Sequence, residues 1–129
     1  MKNKKDLKEI AEVIVGYTFR SALQEQKNGE IFVIQAKNVI IDDTYIQKEK
    51  LIKISSRDYR TTAKAQKNDV FITARGIFRA GIINTEIKNT IASSSLYILR
   101  LKDTKIKSEY LMIYLNLIDG QKEIQKKND

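Results

Sequence analysis

The chain has 129 residues, 42% of them hydrophobic and 31% charged, with 24 Lys and Arg against 16 Asp and Glu for a formal net charge of +8. These values suit a globular protein and exclude a disordered or collagen-like one. No apolar run approaches the roughly 20 residues that span a bilayer, and the charged start Met1-Lys2-Asn3-Lys4-Lys5-Asp6 has no signal-type apolar stretch behind it. The expectation is a cytoplasmic protein of one domain over residues 1–129, with charged tails at 1–5 and 121–129. There is no Cys, His or Pro, and none of the five glycines falls in a phosphate-cradling pattern. Disulfides, thiolate zinc sites, Ser-His-Asp triads and the common nucleotide cradles are therefore excluded.

In chain order, Asp6-Leu7-Lys8-Glu9 has the outline of a capping box, and Leu7, Ile10, Ala11 and Ile14 recur at helical spacing. This predicts a helix over 7–15 that ends at Gly16. Residues 17–30 are polar, lack periodicity and read as a long loop closed by the Asn28-Gly29 turn. The apolar runs 31–34, 39–41 and 51–54 predict short strands, and 55–68 is polar and basic, either loop or a helical turn. Two strands, 70–73 and 77–83, follow across Arg75-Gly76, then one long strand over 91–101. Ser108 reads as an N-cap for a helix carrying Leu111, Tyr114, Leu115 and Ile118 on one face and ending at Gly120. The expected fold class is α+β: a mostly antiparallel twisted sheet with an N-terminal and a C-terminal helix packed on it. The expected core is Ile31, Val33, Ile52, Phe71, Ile83, Leu96, Ile98, Leu111 and Leu115.

The charge is uneven. Arg57, Arg60, Lys64, Lys67, Arg75 and Arg79 are opposed only by Asp58 and Asp69, so this stretch carries half the net charge and four of the six arginines. Arginine forks match phosphates and guanine edges, and a basic domain points first to nucleic acid. Arg57, Arg60, Arg75 and Arg79 bracket loops or strand ends. Lys37 and Asn38, with Thr18 and Arg20, sit in two further loops. All eight are the expected DNA-binding residues, converging on one face. Phe71 and Phe78 read as core. A second pattern, Asp69 followed by Glu86-Ile87-Lys88, has the D…E-x-K outline of magnesium-dependent nucleases. Glu86 and Lys88, however, sit in a polar connection, where that chemistry needs rigid strands.

The order of these pieces resembles the target recognition domain of the specificity subunit of type I restriction-modification systems. The likeness is carried by Leu7 to Gly16 with a Thr-containing loop behind it, and by Ile31-Phe32-Val33-Ile34 leading into Gln35-Ala36-Lys37-Asn38. It continues through Asn68-Asp69-Val70-Phe71-Ile72-Thr73-Ala74-Arg75-Gly76, Ala92-Ser93-Ser94-Ser95-Leu96 and the Tyr-Leu run Glu109 to Asn116. Two features depart from the family: Thr18 is followed by Phe19 rather than Pro, and the chain stops at Asp129, so that 121–129 stands as a candidate stub of the family's spacer helix. The resemblance implies a non-catalytic module that reads a half-site on double-stranded DNA. Its implied partners are methyltransferase (modification) and restriction subunits, with no membrane, metal or cofactor. The module would act alone, as a homodimer or with a partner half-subunit. The alternatives are the magnesium-dependent nuclease using Asp69, Glu86 and Lys88, and a protein–protein adaptor of modification subunits.

Overall fold

The computed structural model describes residues 7–19, 23–40, 43–55, 64–102 and 106–116. It contains seven strands in two sheets and a C-terminal helix among those residues. One helical turn, Leu7–Ile10 (α1), leads directly into strand β1, Ala11–Val15; β2 is Ile31–Ile34, β3 Ile52–Ile54, β4 Val70–Thr73, β5 Ala80–Ile82, β6 Thr90–Ala92, β7 Leu96–Leu101, and α2 Ser108–Asn116. The larger sheet runs β1-β7-β4-β5 and is antiparallel throughout, whereas the smaller, β3-β2-β6, is mixed because β2 and β6 are parallel.

The two-residue side-chain period of a strand explains the layers. Val70 and Ile72 of β4 and Leu99 of β7 face α2, where they meet Leu111, Met112 and Leu115. Phe71 of β4 with Leu96 and Ile98 of β7 point the other way, onto Ile34 of β2 and Ala92 of β6. Val33, Ile54 and Ile91 lie on the far side of the small sheet, covered by Phe19 and Leu23. Every residue of β4 is buried, which accounts for its continuous apolar run where a half-exposed strand would alternate. The expected core residues are buried except Ile31 and Ile52, which are half-buried at the margin of the third cluster.

Four sequence expectations are corrected. The helix over 7–15 is a single turn and then a strand: Ala11 to Val15 pair residue by residue with Leu101 to Tyr97. Three β-branched residues, Val13, Ile14 and Val15, lose side-chain freedom in a helix and fit a pleated edge. Gly16 is consequently no helix cap. A Cβ there would lie 1.8 Å from the Ser93 carbonyl oxygen, so the residue is glycine because two backbones meet. The expected strand 39–41 is not one at its described residues, which follow a short 3-10 turn, Ala36–Asn38. Finally, the long strand 91–101 is two strands in different sheets, broken at Ser93-Ser94-Ser95.

Ser108 opens α2 but does not cap it. Its hydroxyl donates to the Asn68 carbonyl, fastening the helix start to the turn before β4. The C-terminal helix expectation holds as far as Asn116, and Ile118 and Gly120 lie outside the described residues.

Candidate nucleic-acid interface

The C-terminal ends of β1, β2, β4 and β6 and the start of β7 meet at one place, the Ser93–Ser95 turn. The meeting is enforced by backbone donors and acceptors that need partners once buried. Tyr17 N donates to Ala92 O at 2.7 Å and Ser94 N to Tyr17 O at 2.8 Å, which brings in the loop after β1. Ser93 N donates to Ile34 O at 2.9 Å, and Ala36 N to Ser95 Oγ at 3.1 Å, which brings in the loop after β2. Ala74 N donates to Ser95 O at 2.9 Å, which brings in the loop after β4. The serine run is small because three other loops approach it, and the hydroxyls of Ser93 and Ser95 share a hydrogen bond of 2.5 Å.

The loops so gathered carry five of the eight expected binding residues. Thr18 is exposed just past the Tyr17 bridge, where Tyr17 and Phe19 make an edge-to-face ring pair with centroids 4.9 Å apart. Lys37 is exposed on the Ala36–Asn38 turn. Asn38 is half-buried, and its Oδ1 accepts from Gln35 N at 2.8 Å, holding the turn closed. Arg75 is exposed on the β4–β5 connection beside Gly76, whose φ of 74° is one that side chains rarely adopt.

Arg79 plays another part. Its Nε donates to Val39 O at 2.6 Å and Nη2 to Ala36 O at 3.0 Å. The guanidinium straps the Lys37 turn to the strand pair β4–β5, and the backbone N–H of Arg79 donates to Thr73 Oγ1 at 2.9 Å. It positions the loop that carries Lys37. Arg20, Arg57 and Arg60 lie outside the described residues. A small recess beside the Lys37 turn is lined by Lys37, Asn38 and Lys50 among others, so Lys50 joins the basic loop end. No sequence pattern marked Lys50, because it ends the turn Lys48–Lys50 at a distance from Lys37 that only the fold closes.

The carboxylate pattern comes apart. Asp69 is 2% exposed and both its oxygens receive the Arg100 guanidinium, Nε on Oδ1 at 3.0 Å and Nη2 on Oδ2 at 2.9 Å. It also accepts from Gln66 N at 2.8 Å. The hydrogen bond to Asp69 is the chief cause that holds Arg100 above its already high ordinary value. Glu86 stands in solvent, 3.6 Å from Lys67 Nζ. A two-carboxylate magnesium site needs both groups turned to one ion. Here Asp69 serves the junction of β4 and β7 instead, and among the described residues no group of three or more acidic side chains is placed to hold a metal. No helix among the described residues is long and apolar enough to cross a membrane.

No protein-family model and no curated protein matches the chain. Among solved structures it is similar to the HsdS subunit from Thermoanaerobacter tengcongensis, with a TM-score of 0.60 and 20% sequence identity over 87% of this chain and 26% of that one. The chain thus spans about a quarter of that subunit's length. The two sheets and the C-terminal helix therefore have the fold of a segment of that HsdS subunit.

Proposed function

We propose that this chain is a non-catalytic module that recognises a half-site on double-stranded DNA through its Ser93–Ser95 loop end and directs modification (methyltransferase) and restriction subunits there. The observation that carries the reading is that the loops bearing Thr18, Lys37, Asn38 and Arg75 are tied together at the Ser93–Ser95 turn of a chain with net charge +8. The likeness to an HsdS subunit supports it at the level of fold. Lys37 and Arg75 are the phosphate or base-edge donors, Thr18 and Asn38 flank them, and Arg79 holds the Lys37 turn. Arg20, Arg57 and Arg60 complete the proposed set of DNA-binding residues and lie outside the described residues.

Phosphate contacts orient a protein on the duplex, and base contacts specify the sequence. The two are separable by titration. Full-length protein is titrated into a labelled random duplex over a range of salt, with Lys37→Ala and Arg75→Ala beside it. Each phosphate contact removed lowers the salt slope by about one unit. A base-reading side chain instead costs about 1–3 kcal/mol on the preferred duplex and little on a random one. Wild-type affinity and slope in both variants would refute the surface.

A further inference from the structure

Each sheet has two edges, and an open edge is a row of unpaired backbone donors and acceptors. Three of the four are covered. Residues 44–46 lie along β5, with Ile46 N on Ile82 O at 2.8 Å and Ile82 N on Thr44 O at 3.0 Å. Ala65 N donates to Thr90 O at 2.8 Å beside β6. Gln26 N donates to Lys53 O of β3 at 2.9 Å, on the side away from β2. Among the described residues none covers the outer edge of β1.

The register states what that edge offers. Lys102 N donates to Ile10 O and Gly16 N to Leu96 O, so the even-numbered residues of this stretch turn their backbone groups inward to β7. In an antiparallel ladder the alternate residues turn theirs outward. Ala11, Val13 and Val15 therefore present N–H and C=O at the open edge. The same three share the α2 side of the sheet, but α2 packs over β5 and β4. Val13 and Val15 are left 43% and 61% exposed. The strand has no Lys or Pro of the kind that blocks edge pairing.

We propose that β1 is a self-pairing edge: two copies of this chain join antiparallel, β1 to β1, about a two-fold axis at Val13. In that register Val13 faces the partner copy's Val13, and Ala11 faces its Val15. All three outward-facing residues thus exchange hydrogen bonds, and the exposed valines close one apolar row. Glu12 falls opposite Ile14 of the second copy, and within its own sheet it is paired with Arg100. A shift that centred the axis on Glu12 would set two carboxylates directly opposite, which is unfavourable. Centring on Ile14 would carry Ala11 and Glu12 past the end of the partner strand, opposite Tyr17 and Gly16, which already bond to Ala92 and Leu96. Charge and length therefore select one register, and a two-fold contact of this kind is self-complementary. The joined surface is small, so association is weak and concentration-dependent. The proposal does not rest on the DNA reading.

Sedimentation of the full chain at rising concentration tests it. Wild type shifts from monomer to dimer. Val13→Lys stays monomeric at every concentration, and so does Val13→Pro, which removes an outward N–H and leaves the β1–β7 ladder its donors. Ile77→Lys, which changes an apolar side chain 70% exposed elsewhere, dimerises like wild type. The chain lacks cysteine, so Val13→Cys gives a register check that does not depend on the proline variant folding. Mild oxidation links it to a second copy at least tenfold faster than Ile77→Cys. A wild type that stays monomeric, Val13 variants that associate unchanged, or equal linking of the two cysteine variants would each overturn the proposal.

Discussion

Arg79 separates two roles that a basic residue near DNA can have. Replacing it with alanine removes the donors to Val39 O and Ala36 O, at 2.6 and 3.0 Å, and leaves two carbonyls of the Lys37 turn without these partners. Hydrogen bonds from a charged donor contribute roughly 1.5–3 kcal/mol each. The guanidinium is half-buried and water can replace part of what is lost, so the expected cost is about 2–4 kcal/mol in total. For a chain of this size that lowers Tm by about 8–16 °C. Arg79→Lys is the informative partner. It keeps the charge but has no planar fork to reach two carbonyls at once. If Arg79 positions the loop, Lys restores little stability, amide exchange at residues 36–39 rises in both variants, and DNA affinity falls with it. If Arg79 is instead a phosphate contact, Lys restores most of the affinity, and alanine leaves Tm within a degree or two of wild type. Thermal melts, hydrogen exchange and a duplex titration on the three proteins decide between them, and the second pattern would refute the positioning argument.

Gly16→Ala should destabilise by about 3 kcal/mol or more, because the new Cβ meets backbone at Ser93 and Leu96 rather than a movable side chain; a urea melt measures it. Leu115→Ala, at a site 1% exposed beneath the larger sheet, should cost about 2–5 kcal/mol, and an unchanged melting temperature would mean that this helix face is not packed. Tyr45 tests the contact between the 43–46 segment and α2. Its phenol donates to Glu109 Oε2 at 3.3 Å, and desolvation, followed by the charge and hydrogen bond of Glu109, raises its pKa above the ordinary 10.0. The folded chain thus holds this proton to higher pH than the unfolded chain, so the contribution is fully present below pH 10 and is lost as pH rises through the raised value. Phenolate absorbance, by difference against Tyr45→Phe, should show the late titration, and Glu109→Gln should bring it part of the way back.

Much of the fold was legible because most strands are short apolar runs bounded by polar turns, and β4, buried on both faces, is the clearest of them. What misled was periodicity over too few residues. Leu7, Ile10, Ala11 and Ile14 fit a helical stripe, but the same segment holds Val13, Ile14 and Val15, and β7 offers five partners in register. A short isolated helix is marginal in water, so the pairing with β7 prevails. The break at Ser93–Ser95 was hidden for a related reason: β-propensity on both sides of a serine run says nothing about which sheet each half joins.

The candidate binding end was half legible, and the division follows the physics. A residue type announces what it can do to a phosphate, so exposed lysines and arginines near strand ends pointed to loops that the fold gathers at the Ser93–Ser95 turn. It does not announce where its donors are spent. Arg79 and Arg100 carry the same group, yet one is consumed by two carbonyls of a neighbouring turn and the other by Asp69. Both partners are more than thirty residues away in sequence, so neither use has a local signal. Lys37 and Arg75 differ in standing exposed on turns closed by other groups: Asn38 for one, the αL glycine Gly76 for the other. At this loop end the cations free to meet a ligand are those whose turns close without them, and a basic side chain that closes a turn is bound to the fold.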